Sequence, residues 1–280
     1  MKEPSQPLAE VFGHLLTDQS SKAERYRSRC LCPFNNKVPN CTKDKAINPL
    51  GVCSVYAETG IAITCPTRFR QDWIIVDDAA EFLFPPKTKW TTLTEVCLND
   101  KNSKSVGNIG IVLAAYNEAG EIVDFGALEV QAVHLSGDIR NPFERYMQNP
   151  EKHAGMDWRN EENYPRPDYL SPSRKQLANQ LLFKSGILNA WRKRLAVALN
   201  EGSFQALQRF PEVSKEQADI AWLIYDLKRP IGQTDKGKLF LSRAVYTKRL
   251  EAPYEPSLST AEPLKRFMAR LESEMERVVV

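Results

Sequence analysis

Two apolar runs dominate the hydrophobic pattern of the chain, Asn108–Tyr116 (NIGIVLAAY) and Ile122–Leu135 (IVDFGALEVQAVHL). Both are rich in Ile, Val and Leu, as strands are. Asn117-Glu118-Ala119-Gly120 between them is a turn signal, so the two are expected to form a hairpin. Thr91–Leu98 is short and ambiguous. Arg174–Leu199, with Gly186 interrupting it, and Ser203–Gln208 read as helices. Glu216–Asp226, carrying AWLIY, reads as a strand or short helix, and Thr260–Val279 as a charged amphipathic helix. Pro7 to Leu16 reads as a further short helix. From Asp77 to about Leu250 the pattern is that of a mixed α/β domain, while residues 23–75 are rich in turns and proline. The chain therefore divides into an N-terminal segment, 1–75, and a larger domain, 76–280.

The N-terminal segment holds five of the six cysteines: Cys30, Cys32, Cys41, Cys53 and Cys65, with only Cys97 beyond. Residues 23–75 are expected to hold too few apolar residues to fold by core burial alone, and a metal staple is the usual remedy. Cys32, Cys41, Cys53 and Cys65 follow one another at intervals of 9, 12 and 12 residues. Loops of this length can close around one ion, and four thiolates would make a structural site of iron or zinc with no open position. The spacing is not that of a zinc ribbon, and Cys30 could replace Cys32. Buried free thiols are the alternative.

Within the second apolar run, Glu129 and Gln131 share one face of the strand. A carboxylate in the middle of a buried strand is costly unless something binds it, and a divalent cation such as Mg²⁺ would. If Tyr116 pairs with Glu121, Gly110 pairs with Ala127 and Asn108 with Glu129, so position 110 shares the face of the Glu129/Gln131 pair. The alternative reading of Glu129 is a surface residue at a sheet edge.

Net charge is +3, too mild to prove a nucleic-acid partner, but its distribution is uneven. Seven Lys/Arg stand against two acids between Ser21 and Lys45, and seven against one between Ser171 and Phe210. Such patches attract phosphates. No apolar run approaches the roughly 20 residues of a membrane span, and the N-terminus lacks the apolar stretch of a signal peptide. No membrane association and a cytoplasmic location are expected.

Three blocks in order, CPFNNKVPNC…GVCS…TCPTRF, then GNIGIVL…VDFGALEVQAV, then SPSRKQLANQLLFKSGILNAWRKRLAVAL, resemble the NotI-type restriction endonucleases over about Cys32 to Leu227. The resemblance implies a PD-(D/E)xK nuclease core: a mixed sheet flanked by helices, preceded by a four-cysteine iron or zinc segment. It implies a homodimer that cuts palindromic double-stranded DNA with Mg²⁺. It maps the metal-binding cysteines onto Cys32, Cys41, Cys53 and Cys65, and the catalytic pair onto Glu129 and Gln131, with Gln131 orienting the attacking water. Glu95 would add a water-mediated contact to the catalytic metal. The departure is Gly110, which stands where the family places its first catalytic aspartate. An inactivated form of a type II enzyme is the resulting expectation, with Asn108, Asp100 or Glu95 as competing ligands. Candidate DNA contacts are His134 and Arg140 in the loop after the active strand, and Arg174, Lys175, Lys184 and Arg192 in the basic helix. A DNA-binding protein that does not cut is the main rival. A non-nuclease enzyme with a structural zinc finds little support in three histidines, and a protein-interaction module built on the cysteine segment is a third possibility.

Overall fold

The computed structural model describes residues 5–35, 38–45, 47–58, 60–100, 102–169, 181, 183–207, 210–228, 237–249 and 262–279. The chain opens with a small sheet rather than the expected helix: β1 (Leu8–Val11) and β2 (His14–Leu15) form a tight hairpin. Phe12 and Gly13 between them take positive φ, 49° and 75°, which ends any helix there. A Cβ on Gly13 would also lie 2.3 Å from the Pro33 ring, so glycine is required at this approach. Helix α1 (Ser21–Ser28) follows, capped by the Ser20 hydroxyl. β3 (Val52–Ala57) and β4 (Gly60–Ile63) complete a sheet of order β2-β1-β3-β4. The apolar residues of this segment join a core that is shared with the rest of the chain. Leu8, Val11, Val52 and Val55 pack with Phe143 and Tyr146, which arrive from outside it.

A 3₁₀ segment, Pro66–Trp73, leads into α2 (Ile74–Leu83), which buries Ile75, Val76, Ala79 and Phe82. β5 (Trp90–Asn99), β6 (Ser105–Tyr116) and β7 (Ile122–Gln131) form an antiparallel meander. The predicted hairpin is present, but its second strand stops at Gln131. β8 (His134–Ser136) is a separate strand paired with β9 (Arg166–Asp168), and α3 (Arg140–Gln148) and α4 (Pro150–His153) lie between them.

The helical segment 183–190, α5, ends before β10 (Leu195–Asn200), a strand where the sequence predicts a continued helix. β10 runs parallel between β7 and β11 (Ile220–Lys228) and is buried on both faces. Such a strand is apolar throughout and loses the alternation that marks strands in sequence. Gly186 sits inside α5 and does not interrupt it. α6 (Glu201–Gln205), the edge strand β12 (Lys238–Thr247) and α7 (Leu264–Val279) complete the chain. The sheet order is β12-β11-β10-β7-β6-β5. One of its faces packs on Phe267 and Leu271 of α7 and on Ile187 and Leu188 of α5, the other on α2. The result is a mixed α/β fold, a six-strand mixed sheet flanked by helices, consistent with a nuclease-like architecture.

Asn200 at the end of β10 ties the two sheets together. Its Oδ1 accepts from the Ile63 amide at 2.7 Å, and its Nδ2 donates to the Tyr225 carbonyl at 3.1 Å. Asn200→Ala leaves two buried backbone groups without these partners. The expected cost is about 2 kcal/mol, read as a lower urea midpoint at unchanged slope.

Candidate active site

The site grows from an irregularity shared by β5 and β6. Leu93 and Val96, three residues apart, pack in the same core cluster, as do Ile109 and Val112. Each strand therefore loses one step of its alternation at the same place. On β5 the lost step falls at Glu95, whose φ of 58° is the left-handed conformation inside a strand. Register places Glu95 opposite Gly110, between the pairs Thr94↔Ile111 and Val96↔Ile109. Strain of this kind in a non-glycine residue collects at functional sites.

The β6–β7 ladder ends at Ile111↔Leu128. One position beyond, the Gly110 N–H donates to the Glu129 Oε1 at 3.3 Å, a side-chain acceptor in place of a backbone one. Gly110 therefore stands opposite Glu129, and not opposite Ala127 as the turn length suggests. Tyr116 pairs with Ile122 rather than Glu121, and a shift between Ala115 and Tyr116 adds one residue more, so the pairing moves by two residues in all and keeps the face. The same shift displaces Asn108, which pairs with Cys97 and does not face Glu129. Asp100 is occupied elsewhere, its Oδ1 accepting from the Asn102 and Lys104 amides of the β5–β6 turn. Of the three competing ligands, Glu95 alone shares the row of Gly110 and Glu129.

Glu129 is buried among apolar neighbours and has found a cation. Lys184 of α5 donates from Nζ to Glu129 Oε1 at 2.9 Å, with 13% and 9% of the two side chains exposed. Lys184 is a candidate DNA contact from its place in a basic run. That it reaches Glu129, 55 residues earlier, has no sequence signal. Gln131, two residues on, lines a cavity of about 40 Å³ with His134, Asp168, Tyr169 and Ser203. That is room for a few waters. Sequence reasoning does not single out Asp168 or Ser203. Asp168 arrives because β9 pairs His134 with it.

Glycine is not demanded by the backbone at position 110. Its φ lies outside the left-handed range, and a Cβ there would meet only Glu129 Oε2 and the Leu128 carbonyl, each at 3.7 Å. A side chain fits, and a carboxylate would lie beside Glu129. As the chain stands, a divalent cation would find one carboxylate already held by an ammonium, and among the described residues no group of three or more His, Cys, Asp or Glu forms a metal-holding cluster. The residues present do not fit a Mg²⁺ site.

Nor does a metal-holding cysteine group form among the described residues. Cys41, Cys53 and Cys65 are buried, and Cys32 is half-buried. Each of Cys32, Cys41 and Cys53 feels the charge of Cys65, whereas burial alone acts on Cys30. Burial pushes the Cys41 thiol up to about 11, and the Cys32 thiol up against the opposing pull of the Phe34 and Asn35 amides. The donor set is that of a soft metal, and the Cys41 amide donates to the Cys30 carbonyl at 2.8 Å, so Cys30 also lies beside Cys41.

The remaining candidates scatter. His134 is exposed. Arg140 is bound by Asp44 and Glu144, which raise its pKa. Arg192, with φ 54°, lies beside Lys193 and Arg194 at the opposite end of β10 from the Gln131 cavity, lining a cleft of about 580 Å³. Arg174 and Lys175 lie outside the described residues.

A family model, Restriction endonuclease NotI, matches residues 10–239, most of the chain. The chain belongs to the NotI restriction endonuclease family. A search of curated proteins returned no match. Membership makes the protein a nuclease of a restriction system. Restriction endonucleases act on DNA and generally use Mg²⁺, and no described helix is long and apolar enough to cross a membrane.

Proposed function

We propose that this chain is a type II restriction endonuclease, a homodimer specific for a palindromic duplex, carried in an inactivated form. The observation that supports it is Gly110: a position opposite Glu129, open to a side chain, without the carboxylate that a phosphodiester-cleaving site needs there. In the Gly110→Asp variant, Mg²⁺ would supply a Lewis acid at the scissile phosphate and a more acidic water. Glu129 would be its carboxylate ligand, Gln131 would orient the water, and Glu95, in register with position 110, would add an outer contact. Gln131 does not take a proton, since an amide does not titrate near neutrality. Cys32, Cys41, Cys53 and Cys65 would hold an iron or zinc ion, which would stiffen the N-terminal segment, 1–75, ahead of the nuclease domain, 76–280.

Base reading comes from side chains in the major groove and is independent of the catalytic carboxylates. Selection from a pool of random duplexes tests the reading: a palindrome is expected to enrich on the unaltered chain, and absence of enrichment contradicts a site-specific enzyme. A second reading, a DNA-binding protein that never cut, is favoured by Gly110 alone, and Gly110→Asp separates the two. For the cysteine site, elemental analysis of purified protein is expected to give one iron or zinc per chain. Cys53→Ser would abolish it, whereas Cys30→Ser would leave it intact. Metal retained in Cys53→Ser would refute that ligand set.

A further inference from the structure

We infer that the Lys184 ammonium is a built-in cation that replaces the divalent ion in this chain, so that DNA binding at the Glu129 notch is independent of divalent metal. The inference rests on the DNA-binding reading above and concerns the charge of the same site. Among the described residues, Glu129 is the only carboxylate in the notch that faces inward, Glu95 being exposed. Its Oε1 accepts from both the Lys184 ammonium, at 2.9 Å, and the Gly110 amide, at 3.3 Å. The local charge is therefore one negative against one positive.

A buried carboxylate beside a phosphate repels it, and in an active nuclease the ion offsets that repulsion. Here the offset is already covalently attached to α5. A divalent ion approaching Glu129 would meet a cation on the same oxygen, and Mg²⁺ relies on one or two carboxylates that are free to bind it. The ammonium has three donors, and only one is used on Glu129, so the others can face a phosphate oxygen.

The test compares the full chain, Lys184→Gln, and Lys184→Gln combined with Glu129→Gln. Each is titrated with a fluorescent duplex from the selection, in EDTA and in Ca²⁺, and separately with Mn²⁺ followed by electron paramagnetic resonance. The unaltered chain is expected to bind the duplex equally in EDTA and Ca²⁺, within about twofold, and to take up no Mn²⁺ at this site. Lys184→Gln exposes an uncompensated carboxylate. It should bind about tenfold more weakly in EDTA, recover in Ca²⁺ and take up one Mn²⁺. In the double variant the carboxylate is gone, so both the divalent dependence and the Mn²⁺ should disappear. That pattern separates charge from misfolding, because a merely damaged fold would not be repaired by a second change.

Divalent-dependent binding by the unaltered chain, or divalent-independent binding by Lys184→Gln, overturns the inference. If no variant binds any duplex, the DNA-binding reading fails. The Mn²⁺ titration then decides the cation's role by itself: uptake confined to Lys184→Gln upholds it, and equal uptake by all three overturns it.

Discussion

Glu10→Ala should cost about 3–5 kcal/mol, a large part of the roughly 5–15 kcal/mol that holds a domain folded. Glu10 on β1 and Arg68 in the 3₁₀ segment are both fully buried and pair through two contacts, Nε to Oε2 at 2.9 Å and Nη2 to Oε1 at 3.0 Å. Ser54 donates to Glu10 Oε2 at 2.8 Å, and Arg68 donates to Gln71 Oε1 at 2.7 Å and to the Gly237 carbonyl at 2.6 Å. The guanidinium also lies 4.4 Å from the centre of the Phe34 ring. One ion pair thus joins β1, β3, the 3₁₀ segment and the start of β12. Removing the carboxylate leaves a buried cation without its counter-charge, and that penalty exceeds the value of the pair itself. Glu10→Met combined with Arg68→Met should therefore lose much less than Glu10→Ala alone. Urea unfolding of both variants checks this; a loss below about 1 kcal/mol for Glu10→Ala would show that the pair is solvated in solution.

The hairpin that carries the site was legible because its signals are local. Isoleucine and valine along both runs and the Asn117–Gly120 turn are all within reach of one another. Face was legible too, since alternation preserved it through a two-residue register shift. What failed depended on distant partners. Leu195-Ala196-Val197-Ala198-Leu199 reads as helix from its alanines and leucines, and only burial between β7 and β11 makes it a strand. Pro7–Leu16 reads as helix until β3 is available to pair with it. The Glu129–Lys184 pair and the approach of Asp168 to Gln131 exist only once α5 and β9 have docked. The crowding of the cysteines was legible, but intervals of 9, 12 and 12 residues do not fix whether their thiols meet.

Gly110→Asp should turn this chain into an active nuclease. The substitution is sterically mild, with a Cβ in ordinary contact at 3.7 Å from Glu129 Oε2 and the Leu128 carbonyl, and no backbone strain to relieve. It places a second carboxylate beside the first. Two acids against the single Lys184 ammonium make the notch net negative and restore a seat for a divalent ion. Metal-assisted stabilisation of the scissile phosphate is worth several kcal/mol, so the gain in rate should be about a thousandfold or more. Stability should change little, because Lys184 offsets the repulsion between the two carboxylates.

The most direct test is digestion of phage DNA with Mg²⁺ by three proteins side by side: the unaltered chain, Gly110→Asp, and Gly110→Asp with Glu129→Gln. Discrete fragments from Gly110→Asp alone are the expected result, establishing a site-specific endonuclease that lacks one metal ligand. Discrete fragments from the unaltered chain would contradict the account, since another residue, Glu95 foremost, would then be completing the site.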